Sequence, residues 1–154
     1  MPFPLTDEQR AVVENRAGAL LVSAAAGSGK TRVLVERLLE RVEQEGHDID
    51  EFLVITFTNA AAAELRGRIA QELAQRLARD PGNSRLRRQT VLVYKARICT
   101  IDALCIDLLR QHGHLLDVDP DFRICDQAEG EALAQRVLSE LLEERYEGPW
   151  WRLC

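Results

Sequence analysis

The apolar run Ala19-Leu20-Leu21-Val22-Ser23 leads directly into Ala24-Ala25-Ala26-Gly27-Ser28-Gly29-Lys30-Thr31, and an amphipathic stretch follows. That order predicts a strand, a tight glycine-bearing loop and a helix, the unit that cradles phosphate groups. Phosphate oxygens need several donors converging on one concave surface. Gly27 and Gly29 let backbone N–H groups turn inward with no side chain in the way. Lys30 adds a point charge. Thr31 puts a hydroxyl on the first helical turn, where it can complete the coordination of a magnesium ion bridging the outer phosphates. The helix start contributes the positive end of its dipole. The expected ligands of a nucleoside triphosphate with Mg2+ are therefore Ala24, Ala25, Ala26, Gly27, Ser28, Gly29, Lys30, Thr31 and Arg32, with Lys30 and Thr31 nearest the chemistry and Thr31 on the metal. The strict motif has glycine where Ala24 stands, the smallest available departure. A glycine-rich turn that merely carries a lysine is the bland alternative. Against it stand the flanking strand and helix patterns, and the fact that Lys30 is one of two lysines in a chain that otherwise uses arginine.

At 154 residues, 46% hydrophobic and 29% charged, the chain has the composition of one globular domain with a real core. No apolar run approaches the length of a membrane span, and the first residues lack the basic start of a secretion signal, so a cytoplasmic location away from membranes is expected. Cys99, Cys105, Cys125 and Cys154 have neither C-x-x-C spacing nor interleaved histidines, which supports neither a zinc site nor a disulfide framework. The net charge of −5 argues against a wholly basic nucleic-acid coat. Charge is unevenly spread, however. Between Glu64 and Arg97 lie Arg66, Arg68, Arg76, Arg79, Arg85, Arg87, Arg88, Lys95 and Arg97, against Glu64, Glu72 and Asp80. A solvated helix face is the favoured reading of that stretch taken alone.

Thr6 followed by Asp7, Glu8 and Gln9 reads as a capped helix start, running to about Asn15. The helix after the loop keeps Val35, Leu38, Leu39 and Val42 on one face and stops near Gly46, with a turn at residues 47–50. Residues 52–57 form a nearly continuous apolar run, as in a parallel strand covered on both faces. A long helix from about Asn59 repeats Leu65, Ile69, Leu73 and Leu77 every four residues until Pro81-Gly82. Residues 84–95 read as helix, 97–101 as strand and 102–112 as helix. Asp126 with Glu129 opens a final helix carrying Leu133, Val137, Leu141 and Leu142. Alternating strands and helices predict an α/β fold with a parallel sheet flanked by helices.

Three further stretches resemble superfamily 1 DNA helicases of the UvrD and Rep type. Leu5-Thr6-Asp7-Glu8-Gln9-Arg10-Ala11-Val12 resembles the family's Q motif, whose glutamine, here Gln9, pairs with the adenine edge. A local capping box between Thr6 and Gln9 competes for the same amide. Thr56-Phe57-Thr58-Asn59-Ala60-Ala61-Ala62-Ala63-Glu64-Leu65-Arg66-Gly67-Arg68-Ile69 looks like motif Ia, which grips single-stranded DNA, with Arg66 and Arg68 the weaker candidates in it. Phe57 can offer a ring face to an unstacked base, while Thr58, Asn59 and the N–H groups of a helix start can bind phosphate. A core aromatic is the alternative for Phe57. Ile98-Cys99-Thr100-Ile101-Asp102-Ala103-Leu104-Cys105 resembles motif Ib, which adds Thr100 to the DNA residues Thr56, Phe57, Thr58 and Asn59. Asp102 stands where the family has histidine and Leu104 where it has phenylalanine, so that histidine's DNA contact does not carry over. Residues 114–126, the Val22-Ser23-Ala24-Ala25-Ala26-Gly27 segment and the alanine run are most similar to AddA-type helicase-nuclease proteins.

The resemblance implies a P-loop NTPase (RecA-like) lobe that is incomplete here, with residues 1–125 the front of the motor lobe and 126–154 the truncated start of a helical subdomain. It also implies single-stranded DNA and a second subunit of a helicase-nuclease complex as partners, in the repair of double-strand breaks. No apolar strand ending in paired carboxylates follows motif Ib; Leu141-Leu142-Glu143-Glu144 falls inside a helical repeat. Weak ATP binding with little hydrolysis is therefore expected of these residues alone. Trp150-Trp151 fit a core that continues or a docking tail. A non-motor P-loop regulator or a small-molecule kinase is the competing class.

Overall fold

A computed structural model describes residues 4–119 and 121–147. Trp150, Trp151 and Cys154 lie outside the described residues. The chain divides into two compact units after Asp107. The first contains α1 (Asp7–Glu14), α2 (Lys30–Gln44), β1 (Leu53–Thr56), α3 (Asn59–Arg79), α4 (Ser84–Leu92) and β2 (Arg97–Thr100), and α5 (Ile101–His112) begins in it. The second holds α6 (Gln127–Glu147).

β1 and β2 pair in parallel, Leu53 with Arg97 through Thr56 with Thr100, and α3 and α4 make the crossover between them. The core lies on one face of this pair. Val35, Leu38, Leu39 and Val42 of α2 meet Leu65, Ile69 and Leu73 of α3, with Leu86 of α4 and Ile98 of β2. Burying each such side chain is worth about 1.5–3 kcal/mol, so the four-residue repeat of α3 is what fixes its orientation. Leu77, the last of that repeat, is half-buried at the edge of the cluster.

Polar ties across long sequence distances hold this unit in register. Gln89 of α4 is fully buried; its Oε1 accepts from the Ile49 N–H at 2.9 Å, and its Nε2 donates to Asp48 Oδ1 at 2.7 Å. The turn before β1 is pinned by that amide. Arg85 donates to the Val42 carbonyl at 3.0 Å and to that of His47 at 2.7 Å, covering carbonyls at and beyond the end of α2. Arg76 of α3 reaches Glu36 and Glu43 of α2, each at 2.6 Å, and Glu72 on its own helix at 3.4 Å. Burial opposes the Arg76 charge, yet Glu43, Glu36 and Glu72 outweigh it and hold the guanidinium above its ordinary value.

Two expectations are corrected. Residues 19–23 form no strand. Among the described residues the sheet consists of β1 and β2, so this run has no ladder partner, and Leu21 is 93% exposed; an extended segment without a neighbour has nowhere to direct its N–H and C=O groups except water. The strand at 52–57 is likewise not covered on both faces. Val54 turns toward the core, whereas Leu53 and Ile55 point the other way and stay about half exposed.

In the second unit Asp117 adopts a left-handed conformation (φ 52°), and the Val118 N–H returns to the Gly113 carbonyl at 3.1 Å. α6 opens as the sequence predicts: Asp126 Oδ1 accepts from the Glu129 N–H at 2.9 Å, and Glu129 Oε2 accepts from the Asp126 N–H at 3.2 Å. Leu133, Val137, Leu141 and Leu142 all lie on α6 and are exposed. Among the described residues no helix is long and apolar enough to cross a membrane.

Candidate functional site

The loop between residues 24 and 29 closes on the side chain that follows it. Lys30 Nζ donates to the carbonyls of Ala24 and Ala25 at 2.7 and 2.8 Å, and the Ser28 N–H returns to the Ala25 carbonyl at 3.3 Å. The ammonium thus sits inside the curve of the loop with a third donor to give. Gly27 (φ 78°) and Gly29 (φ 86°) occupy the left-handed region, which a side chain would strain. Gly29 is also the N-cap of α2 and supplies no capping side chain, so the first N–H groups of a 15-residue helix face outward at the positive end of its dipole. Thr31 is exposed on that first turn and Arg32 half-buried beside it. An ammonium, a hydroxyl and the uncapped N–H groups of a helix start are a donor set that suits a magnesium polyphosphate.

A cavity of about 720 Å3 opens from this loop, within the usual range for small-molecule sites of about 300–1,000 Å3. One wall is the α1 side, with Thr6, Gln9 and Val12. The facing wall is a stripe of α2: Lys30, Val33, Leu34 and Arg37. Leu20 and Val22 add apolar surface from the segment before the loop.

Gln9 joins the two walls. Its Oε1 accepts from the Thr6 N–H at 3.1 Å, and Thr6 Oγ1 accepts from the Gln9 N–H at 3.3 Å, the reciprocal capping box expected of α1. Its Nε2 donates to the Ser28 carbonyl at 3.1 Å. A Cβ on Gly29 would lie 3.3 Å from that nitrogen, so a side chain there would press on the Gln9 amide as well as strain the backbone at φ 86°. One amide caps a helix and holds the loop at once, and the second of these engagements spans 19 positions, beyond the reach of any local pattern.

The other candidate residues gather at the carboxyl ends of the two strands. Thr56 and Thr100 are register partners there, and α3 and α5 start immediately beyond. Phe57 is fully exposed and takes no part in the core of the described residues. Thr56 Oγ1 donates to the Thr58 carbonyl at 3.0 Å, while Thr58 Oγ1 caps α3 by accepting from the Ala61 N–H at 3.1 Å; Asn59 is exposed on the first turn. Thr100 is buried, and its hydroxyl accepts from the Ala103 N–H at 3.3 Å. Asp102 is exposed in the first turn of α5, where its charge suits the helix dipole and would repel phosphate.

Much of the cationic stretch turns out to be structural. Arg66 donates to the carbonyls of Ala96 and Ile98 at 3.3 and 2.9 Å, and Arg68 pairs with Glu64. Arg87 donates to the Pro81 carbonyl, and Arg88 pairs with Asp48. Together with Arg76 and Arg85 this commits six of its arginines to holding helices, turns and strands together. The segment Leu141-Leu142-Glu143-Glu144 lies within α6 and does not end a strand.

The family model described as the UvrD/REP helicase N-terminal domain matches residues 5–148. The chain belongs to that family. Among the curated relatives of this UvrD/REP-family chain, the A subunit of the ATP-dependent helicase/nuclease of Geobacillus kaustophilus is 50% identical over 146 residues, which cover 94% of the chain and 12% of the relative. The A subunits of the same enzyme from Bacillus licheniformis and Clostridium beijerinckii are each 48% identical over 92% of the chain and 12% of their own length. The UvrD/REP-family chain thus spans about an eighth of the length of these relatives. Its resemblance to AddA-type proteins, read from short motifs, extends over nearly the whole chain.

Proposed function

We propose that this chain is the ATP-binding, single-stranded-DNA-contacting N-terminal portion of an ATP-dependent DNA helicase-nuclease that acts in double-strand-break repair. The observation that carries the reading is the Lys30 ammonium enclosed by the loop carbonyls of Ala24 and Ala25, at the side-chain-free N-terminus of α2 and at the mouth of a cavity reaching Gln9. In this reading the lobe is a RecA-like P-loop fold over residues 1–125, and residues 126–154 open a helical subdomain.

Each residue has a physical task. The amides of residues 24–32 receive phosphate oxygens, and Lys30 turns from the two carbonyls onto the outer phosphates. The Thr31 hydroxyl would hold magnesium, which would offset the charge of those phosphates. Gln9 exchanges the Ser28 carbonyl for a purine edge. At the sheet edge the Phe57 ring stacks on an unpaired base, with Thr56, Thr58, Asn59 and the α3 start beside the backbone. Thr100 supports that edge through its cap on α5.

Phosphoryl transfer depends on positioning and charge stabilisation. Among the described residues neither strand ends in paired carboxylates, since β1 ends at Thr56 and β2 at Thr100. This chain by itself therefore binds nucleotide with little turnover. The relatives are by name one subunit of an enzyme, which supports a partner subunit for the whole protein, and in this reading the protein works in the cytoplasm. The test is a titration of single-stranded DNA at rising salt, with and without magnesium ATP. Affinity that falls steeply with salt is expected. Absent or salt-insensitive DNA binding alongside retained ATP binding would favour a non-motor nucleotide regulator.

A further inference from the structure

The walls of the cavity are held together by a residue that no phosphate-loop motif contains. α1 has eight residues, buries Val13, and has no basic residue in its last turn. So short a helix is marginal by itself, and its final carbonyls need outside donors. Arg16 covers the Val13 carbonyl at 2.6 Å and pairs with Glu45. Arg37, from α2, donates to the Val12 carbonyl and lines the cavity. It lies seven residues beyond Lys30 on the same stripe, two helical turns or about 10 Å along the axis.

α1 is tied to the rest of the site by Gln9 on Ser28, by Arg16 on Glu45 and by Arg37 on Val12. The first must open when Gln9 meets a base. The second lies past the end of α1 and at the C-cap of α2. Among the described residues, Arg37 then remains the hydrogen bond between the body of α1 and the helix that carries Lys30. Burial, then the like charges of Arg41 and Arg16, draw Arg37 below the ordinary guanidinium value against the opposing pull of Glu45. Its surroundings do not favour a cation, and the carbonyl is what seats it.

We infer that Arg37 is a positioning residue that sets base selectivity: by holding Val12 it fixes α1 against α2 and so keeps Gln9, beside the phosphate loop, in reach of a purine edge. This rests on the nucleotide reading above. Magnesium complexes of ATP, GTP and tripolyphosphate are titrated into the full chain, into Arg37→Met and into Arg37→Lys, with circular dichroism as a check on folding. Arg37→Met is expected to weaken ATP about tenfold, as loss of a charge-assisted hydrogen bond does, to leave tripolyphosphate within about twofold, and to bring the ATP-to-GTP preference toward one. Arg37→Lys keeps a donor and should restore part of that preference. Should Arg37→Met not fold, Arg37→Gln is scored by the same two ratios. Equal loss of ATP and tripolyphosphate, or an unchanged ATP-to-GTP ratio, overturns the inference. An unmodified chain that binds tripolyphosphate but does not distinguish ATP from GTP overturns this inference alone, while one that binds none of the three overturns the nucleotide reading with it.

Discussion

The side-chain amide of Gln9 donates to the carbonyl of Ser28 across 3.1 Å while its oxygen caps the helix it sits on. The two functions separate in one substitution. Gln9→Glu keeps an acceptor for the Thr6 N–H and removes the donor to Ser28, so thermal stability should change by less than about 1 kcal/mol. Magnesium ATP affinity should fall about tenfold through the lost donor and the added charge. Calorimetry beside thermal melts reads both, and a large melt shift with unchanged affinity would make Gln9 purely a cap.

Phe57 should matter to DNA and not to folding. Its ring is fully exposed, so Phe57→Ala removes no buried surface, and a base stacked on an aromatic is worth about 1–3 kcal/mol. Single-stranded DNA binding measured by fluorescence anisotropy is expected to weaken between about fivefold and a hundredfold, with an unchanged urea midpoint. Equal DNA affinity in the variant would remove Phe57 from the interface.

Arg76 carries the opposite expectation. It satisfies Glu36, Glu43 and Glu72 from a position only 16% exposed, so Arg76→Met leaves carboxylates facing one another across the α2–α3 contact. A loss of about 2–4 kcal/mol follows from breaking such a partly buried network on one side. Chemical denaturation measures it; a loss under about 0.5 kcal/mol would mean the network is no stronger than an exposed pair.

The start of α6 should loosen in acid. The Arg123 hydrogen bond first, and the Asp126 N–H second, hold Glu129 below the ordinary glutamate value of 4.5. A depressed carboxyl stabilises the fold fully above its unfolded value, and that stabilisation is lost as pH falls from about 4.5 through the lower folded value. Amide shifts of residues 126–130 should follow that titration and become flat in Glu129→Gln. A Glu129 that titrates at its ordinary value would contradict the box.

Legibility followed the range of the interaction. Thr6 with Gln9, Asp126 with Glu129, the α2 stripe and the four-residue repeat of α3 are all set by neighbours within a few positions, and the sequence displays them. The loop at Gly27 and Gly29 is equally local. Residues 19–23 carry the apolar pattern of a strand, but strand formation needs a ladder partner that local pattern does not supply. Leu53 and Ile55 misled for the same reason, since an apolar run does not say which face a helix will cover. Gln89 with Ile49 and Arg37 with Val12 join residues 40 and 25 positions apart. Their side chains are ordinary helix-surface types, and only the tertiary placement of α4 and of α1 against α2 gives them partners.

If the loop after Leu20-Leu21-Val22 and the Lys30 ammonium form an anion cradle, calorimetric titration of magnesium ATP into the chain and into Lys30→Ala must register it. A saturable heat is expected for the unmodified chain, weakened at least about tenfold by Lys30→Ala, with circular dichroism unchanged, since Lys30 is exposed and its hydrogen bonds are confined to the loop. No heat from the unmodified chain, or the same affinity without the lysine, would contradict the cradle.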